Sequence, residues 1–285
     1  MEAIAEALIS EAAAKLKTVS ERFGLEGEEQ NEARELLAEA LGRELLPGEA
    51  VTAAVRRRFQ RLIGRRMTGE PLEFITGRVR FAGRELKIRP GMFIPRVTSE
   101  FLASQAVRRL RGRRLPAHVD VATGIGPVAL TVALGVPHAR VWGLDISQKA
   151  VNQAAANARR LGAENASFRR SDLFARLPDK LWGQVDVVTI HPPYVPSAMV
   201  ADLPAEIRKF EPRHTLTDGS RDGFGLVRRV IDEGRGWIRP GGWLLIEIMP
   251  SESRRIRSLL KAGGYGDVRS THGEYRETRV VTGRR

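Results

Sequence analysis

The chain has 285 residues, 42% of them hydrophobic and 6% aromatic, with no cysteine and a net charge of +13. That composition fits one large soluble domain, or a domain with a smaller companion. It excludes a disulfide framework, a thiolate nucleophile and a cysteine-ligated zinc site. The charge is uneven: residues 1–50 hold 12 Glu against 5 Lys or Arg, and Arg outnumbers Lys by 40 to 7 overall. A positive field over the remainder favours acidic partners, but no basic stripe interleaved with aromatics marks specific nucleic-acid binding.

In chain order, helical periodicity comes first. "IAEALISEAAAKLKTV" sets Ile4, Leu8, Ala12 and Leu16 on one stripe, and "EARELLAEALGRELL" repeats it with Leu36, Leu37, Ala40 and Leu41. "GEAVTAAVRRRFQRLIGRR" runs Val51, Val55, Phe59 and Leu62 down one face, closed by Gly69-Glu70-Pro71. Residues 1–71 therefore read as a small helical domain without chemistry of its own. Residues 72–95 alternate around a glycine turn, the pattern of a β-hairpin linker.

From residue 96 to 285 strands alternate with helices. The strands are "HVDVAT", "ARVWGLDI", "ASFRRS", "VDVVTI", "GGWLLIEI", "GDVRST" and "RVVTG". Such alternation predicts an α/β, doubly wound, mostly parallel sheet of Rossmann-like type. No apolar run reaches the roughly 20 residues that cross a bilayer. The acidic start "MEAIAEALIS" also lacks the basic opening of a secretory leader, so a cytoplasmic location is expected.

Ligands in such sheets bind beyond the strand ends at the topological switch point. The first strand of this region runs into "DVATGIGPVALTVA", where Gly124 and Gly126 allow close backbone approach. About 20 residues on, the second strand ends in Asp145, which suits a ribose diol or the cap of the helix starting at Ser147. The loop and its acid admit NAD(P) as well as S-adenosylmethionine. Asp172, after the third strand, suits an adenine amino group or a turn. His118, His138, His214 and His272 are scattered, as surface or turn residues are, and form no metal set.

The fourth strand delivers His191-Pro192-Pro193-Tyr194, where an apolar strand turns at once into a stiff extended loop. With it the sequence resembles the release factor glutamine methyltransferases, the HemK/PrmC family, along nearly its whole length. The resemblance is carried by "EARELLAEALG", "GEPLEFITG", "PGMFIPRVTSE", "DVATGIG", "GLDIS", "SDLF", "HPPY", "FEPRHTLTDGSRDG", "RPGGWLLIEI" and "GEYRETRVVTGRR", in that order.

The resemblance implies a helical substrate-recognition domain and a catalytic domain that uses S-adenosylmethionine, leaving S-adenosylhomocysteine. It implies cofactor contacts at Ala122, Thr123, Gly124, Ile125, Gly126, Asp145, Ile146, Asp172, Leu173 and His191. Phe93, Arg96 and Glu100 match the stretch near the methyl donor. The acceptor motif, normally Asn-Pro-Pro-Tyr, falls on His191 to Tyr194. There the first side chain and the carbonyl of the first proline would grip the two N–H bonds of an amide, and Tyr194 would wall the planar group. The implied acceptor is a glutamine in peptide chain release factors; separately, a monomer is expected.

His191 departs from that pattern. A neutral imidazole offers one acceptor nitrogen where an amide oxygen offers two lone pairs, yet it can take a proton. An acceptor other than a release factor, small molecule or protein, is the alternative expectation. Methylation of a nucleic-acid base and cofactor binding without catalysis are more distant ones. Val97 and Thr98 replace the usual Pro-Asp before Ser99, a further change on the acceptor side.

Overall fold

The computed structural model describes residues 3–23 and 27–285. Two compact units emerge: residues up to Arg78 with Arg89–Gly91 and Ala201–Glu211, and Val79–Ile88 with Met92–Val200 and Pro212–Arg285. The strands are β1 (Ala3–Ile4), β2 (Ala50–Val51), β3 (Arg78–Phe81), β4 (Arg84–Lys87), β5 (Ala117–Val121), β6 (Arg140–Asp145), β7 (Ala166–Arg170), β8 (Val185–Ile190), β9 (Ile238–Ile248), β10 (Gly266–Thr271) and β11 (Arg279–Arg284). The helices are α1 (Ala5–Phe23), α2 (Glu29–Leu41), α3 (Ala53–Met67), α4 (Leu72–Thr76), α5 (Ser99–Leu110), α6 (Pro127–Gly135), α7 (Gln148–Leu161), α8 (Ala205–Phe210), α9 (Arg213–Leu216), α10 (Gly225–Trp237) and α11 (Ser253–Ala262).

In the first unit, Leu8, Ile9, Ala12 and Leu16 of α1 meet Ala33, Leu36 and Leu37 of α2, with Phe59 and Ile63 of α3 completing the core. Two residues of the expected stripes lie elsewhere. Ile4 and Val51 sit on paired strands, β1 and β2, and Ile4 is exposed, because the chain stays extended there before each helix begins. Leu72–Thr76 is helical rather than part of the hairpin, ended by Gly77 in the left-handed region. The β3–β4 hairpin itself is present. Arg66 is fully buried on α3, and its guanidinium makes two bonds to Glu32, at 2.7 and 3.0 Å, and one to Glu206 at 3.4 Å.

The second unit is built on a seven-stranded sheet in the order β10-β11-β9-β8-β5-β6-β7. Strands β9, β8, β5, β6 and β7 run parallel, while β11 pairs antiparallel with both β9 and β10. Successive side chains on a strand face opposite ways. Val119, Val121, Val188, Ile190, Leu244 and Ile246 pack into the core shared with α10 and α11. Each large side chain so buried contributes about 1.5–3 kcal/mol. His118, Asp120, Thr189 and Glu247 alternate with those residues, so they belong to the opposite face of the sheet, and α5 packs on β8 and β9.

His118 is no surface residue. It is completely buried, with Nε2 2.9 Å from Thr189 Oγ1 and Nδ1 unpartnered. Burial pushes its imidazole down to about 3. The unfolded chain takes this proton at an ordinary value near 6.5 and the folded chain refuses it, so stability falls as pH falls from roughly 6.5 towards 3. His118→Gln removes that proton. Its unfolding free energy is expected to gain on the native chain by up to about 1.4 kcal/mol per pH unit across this window. Acid titrations followed by circular dichroism check this; coincident curves for the two proteins would refute it.

Candidate active site

The sheet reverses its strand order between β5 and β8, with β6 and β7 on one side and β9 on the other. The two loops leaving β5 and β8 therefore open side by side, at the crevice such a sheet offers a ligand. The β5 loop, Ala122–Gly126, holds Ala122, Gly124 and Gly126 at φ of 54, 57 and 88°. A Cβ on Gly124 would meet nothing within 4 Å, whereas one on Gly126 would come within 3.1 Å of Phe168 and 3.2 Å of Ala154. Gly124 thus keeps the backbone open and Gly126 lets α6 pack, with Pro127 at its first turn. Thr123 and Ile125 are buried, and Thr123 Oγ1 donates to Asp120 Oδ2 at 2.7 Å.

Asp145 ends β6 and ties two loops together: Oδ2 accepts from Gly124 N and Oδ1 from Ser147 N, each at 2.8 Å. The cap of α7 is Ser147, whose Oγ accepts from Ala150 N, so Asp145 is released from the capping role. Burial raises the Asp145 carboxyl, against the hydrogen bonds from Ser147 and Gly124 and the nearby His214 of α9. Ile146 beside it is exposed. Asp172 forms a two-point pair with Arg229 of α10, both contacts at 3.1 Å, and Leu173 is buried in the core.

On the β8 side, register explains the neighbours of His191. Thr189 pairs with Leu245 and Ile190 with Ile246, so His191 follows opposite Glu247. His191 Nδ1 lies 3.1 Å from Ser99 Oγ, at the start of α5, and 3.8 Å from Glu247 Oε2. Glu247 is fully buried; Oε1 accepts from Thr98 Oγ1 at 2.9 Å and Oε2 has no hydrogen-bond partner. The ring of His191 stacks on Tyr194 with centroids 5.8 Å apart and meets the edge of Phe93 at 5.6 Å. Arg96 lies 4.7 Å over Phe93. Glu100 points elsewhere, accepting from Ala82 N in the β3–β4 turn at 2.8 Å. Pro192 is buried and Pro193 half-buried. Burial, with Glu247 adding to it, holds the Tyr194 phenol above its ordinary value.

The stretch "TDGSRDG" forms a platform beneath this loop. Tyr194 pairs with Thr217, Val195 N donates to Leu216 O at 3.0 Å, and Ser197 N donates to Ser220 O at 3.2 Å. Asp218 accepts from Ser220 N and Leu226 N, and Asp222 accepts from Phe224 N. The Arg228 guanidinium holds the Asp222 carboxyl well below the usual range. Sequence reasoning quoted the stretches that hold Ser99, Glu247 and the platform but gave none of them a role in the site. The legible signal was Glu247 itself, an acid inside the otherwise apolar run "LLIEI".

Residues 117–265 match a methyltransferase domain, and residues 7–77 match the PrmC N-terminal domain. A release factor glutamine methyltransferase of Burkholderia pseudomallei is 36% identical over 84% of this chain and 86% of its own length. The chain belongs to the release factor glutamine methyltransferase family. It is a methyltransferase dependent on S-adenosylmethionine. Within reach of that family in sequence is also a 4-amino-L-phenylalanine/4-methylamino-L-phenylalanine methyltransferase of Streptomyces pristinaespiralis, 34% identical over 78% of this chain and 74% of its own. The fold is shared with the T. thermophilus 16S rRNA N2 G1207 methyltransferase, at TM-score 0.53 and 18% identity over 73% of this chain and 49% of the other. Among the described residues, no helix is long and apolar enough to cross a membrane, and no acid, histidine or cysteine cluster could hold a metal.

Proposed function

We propose that this chain methylates the side-chain amide nitrogen of a glutamine in peptide chain release factors. The observation that carries the reading is the meeting of two loops at one switch point, the glycine loop with Asp145 and the His-Pro-Pro-Tyr loop. The first loop fits the cofactor. Gly124 leaves open space, and the Asp145 carboxylate, with about four acceptor positions, has capacity beyond its bonds from Gly124 N and Ser147 N for a ribose diol.

When bound, S-adenosylmethionine supplies an electrophilic methyl group. Ala122 to Gly126, Asp145 and Ile146 would line its place, with Asp172 and Leu173 at the turn after β7 and Phe93 and Arg96 towards the acceptor. Glu100 supports them from behind by fixing the hairpin turn. The chain's own work is positional. Pro192 offers a backbone carbonyl on a rigid φ, His191 a second acceptor, and Tyr194 a flat wall for the amide plane.

Action as a monomer belongs to the same proposal. A release factor as acceptor places the reaction in the cytoplasm. Purified enzyme, labelled cofactor and unmodified release factor are expected to yield one added methyl on the glutamine, read by peptide mass. Intact cofactor binding without transfer would refute the reading. A second reading, an amine on a small molecule, is favoured by His191, a proton acceptor where the family pattern has an amide, and by the arylamine-methylating relative.

A further inference from the structure

The carboxylate of Glu247 has no role in cofactor binding or amide recognition as described above, yet it is buried beside the least family-like residue of the site. A buried carboxylate oxygen without a donor is costly unless something nearby compensates it. The compensation available is the imidazole of His191, whose Nδ1 faces Glu247 Oε2 at 3.8 Å and Ser99 Oγ at 3.1 Å. Thr98 holds the other oxygen of Glu247 at 2.9 Å, so the carboxylate cannot swing away.

We infer that Ser99 and Glu247 are positioning residues that convert His191 into the proton acceptor of the reaction. An ionised carboxylate only accepts hydrogen bonds, so it favours the tautomer with hydrogen on Nδ1. Nε2 is then left as a bare lone pair on the far side of the ring. Stacking on Tyr194 and the edge contact of Phe93 set the ring plane. Among the described residues, the ionisable groups beside this cluster include Tyr194 from the same loop and Arg96 over Phe93.

This rests on the methyltransferase reading above and adds the fate of the proton. As the N–C bond forms, the methyl–sulfur bond breaks and its electron pair stays on sulfur. The acceptor nitrogen's N–H bond breaks, its electron pair stays on nitrogen, and the proton goes to Nε2. The resulting imidazolium lies against the Glu247 carboxylate, so charge separates inside the cluster rather than across it. A delocalised amide nitrogen gains nucleophilicity as its proton is drawn off, and a neutral amine is relieved of the charge that methylation gives it.

The test combines a spectroscopic and a kinetic reading. In the full-length protein labelled with 15N-histidine, without cofactor or acceptor, the His191 resonances are expected to place hydrogen on Nδ1; hydrogen on Nε2 overturns the inference. Glu247→Gln is expected to lower kcat about 100-fold, with cofactor affinity unchanged, and to have no further effect in a His191→Asn background. Equal losses in both backgrounds would show a merely structural carboxylate and overturn the proposal. Should Glu247→Gln fail to fold, Ser99→Ala takes its place in the same cycle, with a loss expected only where His191 is present. The resonances are read whatever the acceptor proves to be, so failure of release factor methylation leaves this result distinct.

Discussion

Alanine at Gly223 is expected to abolish methyl transfer, by at least about 100-fold in kcat, while leaving cofactor affinity within about twofold. Gly223 has φ of +74°, and a Cβ there would sit 2.1 Å from the carbonyl oxygen of Tyr194, 2.8 Å from its carbon and 3.1 Å from Pro196 N. All three atoms are backbone of the acceptor loop, so no flexible side chain can yield. The loop itself must move, and misplacement by about 1 Å is enough for a loss of that order. Gly219 is the control: its φ is +81°, but an added Cβ meets nothing within 4 Å. Gly219→Ala carries the cost of an unfavourable backbone angle without the collision. Single-turnover rates with calorimetric cofactor titration separate the two, and equal losses would discard the platform as the reason Gly223 is there.

The second large effect belongs to Asp145→Ala. Hydrogen bonds to a charged group are worth about 1.5–3 kcal/mol, so cofactor affinity is expected to fall about 10- to 100-fold. The loss has a local part as well, since Gly124 N and Ser147 N lose their shared acceptor. Because burial raises the Asp145 carboxyl, affinity in the native enzyme should decline on acidification earlier than an ordinary aspartate would dictate. Titration calorimetry over a pH series reads both results; an unchanged affinity in the variant would remove Asp145 from the site.

Much of this was legible because it depends on short-range chemistry. Strand and helix periods, the glycine loop and the Pro-Pro stop survive in any neighbourhood, so β5, β8 and the loops after them could be read directly from the residues. Short elements could not. Leu72–Thr76 is one helical turn, too brief to show a period, and Ile4 continued a helical stripe that the backbone had not yet entered. His118 shows a different limit: nothing local distinguishes a buried imidazole from a surface one, and only strand alternation beside Thr189 puts it inside. Glu247 meets His191 across 56 residues of sequence, through the register of β8 on β9, which no local pattern encodes.

The place of β11 bears on when the enzyme comes into being. Arg279–Arg284 lies between β9 and β10, and its Val280 is the ladder partner of Glu247. During translation helices α1 to α4 are made early, but β9 emerges with one edge bare and stays so until residue 284 has left the ribosome. A bare edge is a template for wrong pairing, and a nascent chain waits with it at roughly 5–20 residues per second. The carboxylate behind His191 therefore gains its fixed strand only once β11 has been made, and a chain halted before β11 would expose an adhesive edge beside that carboxylate.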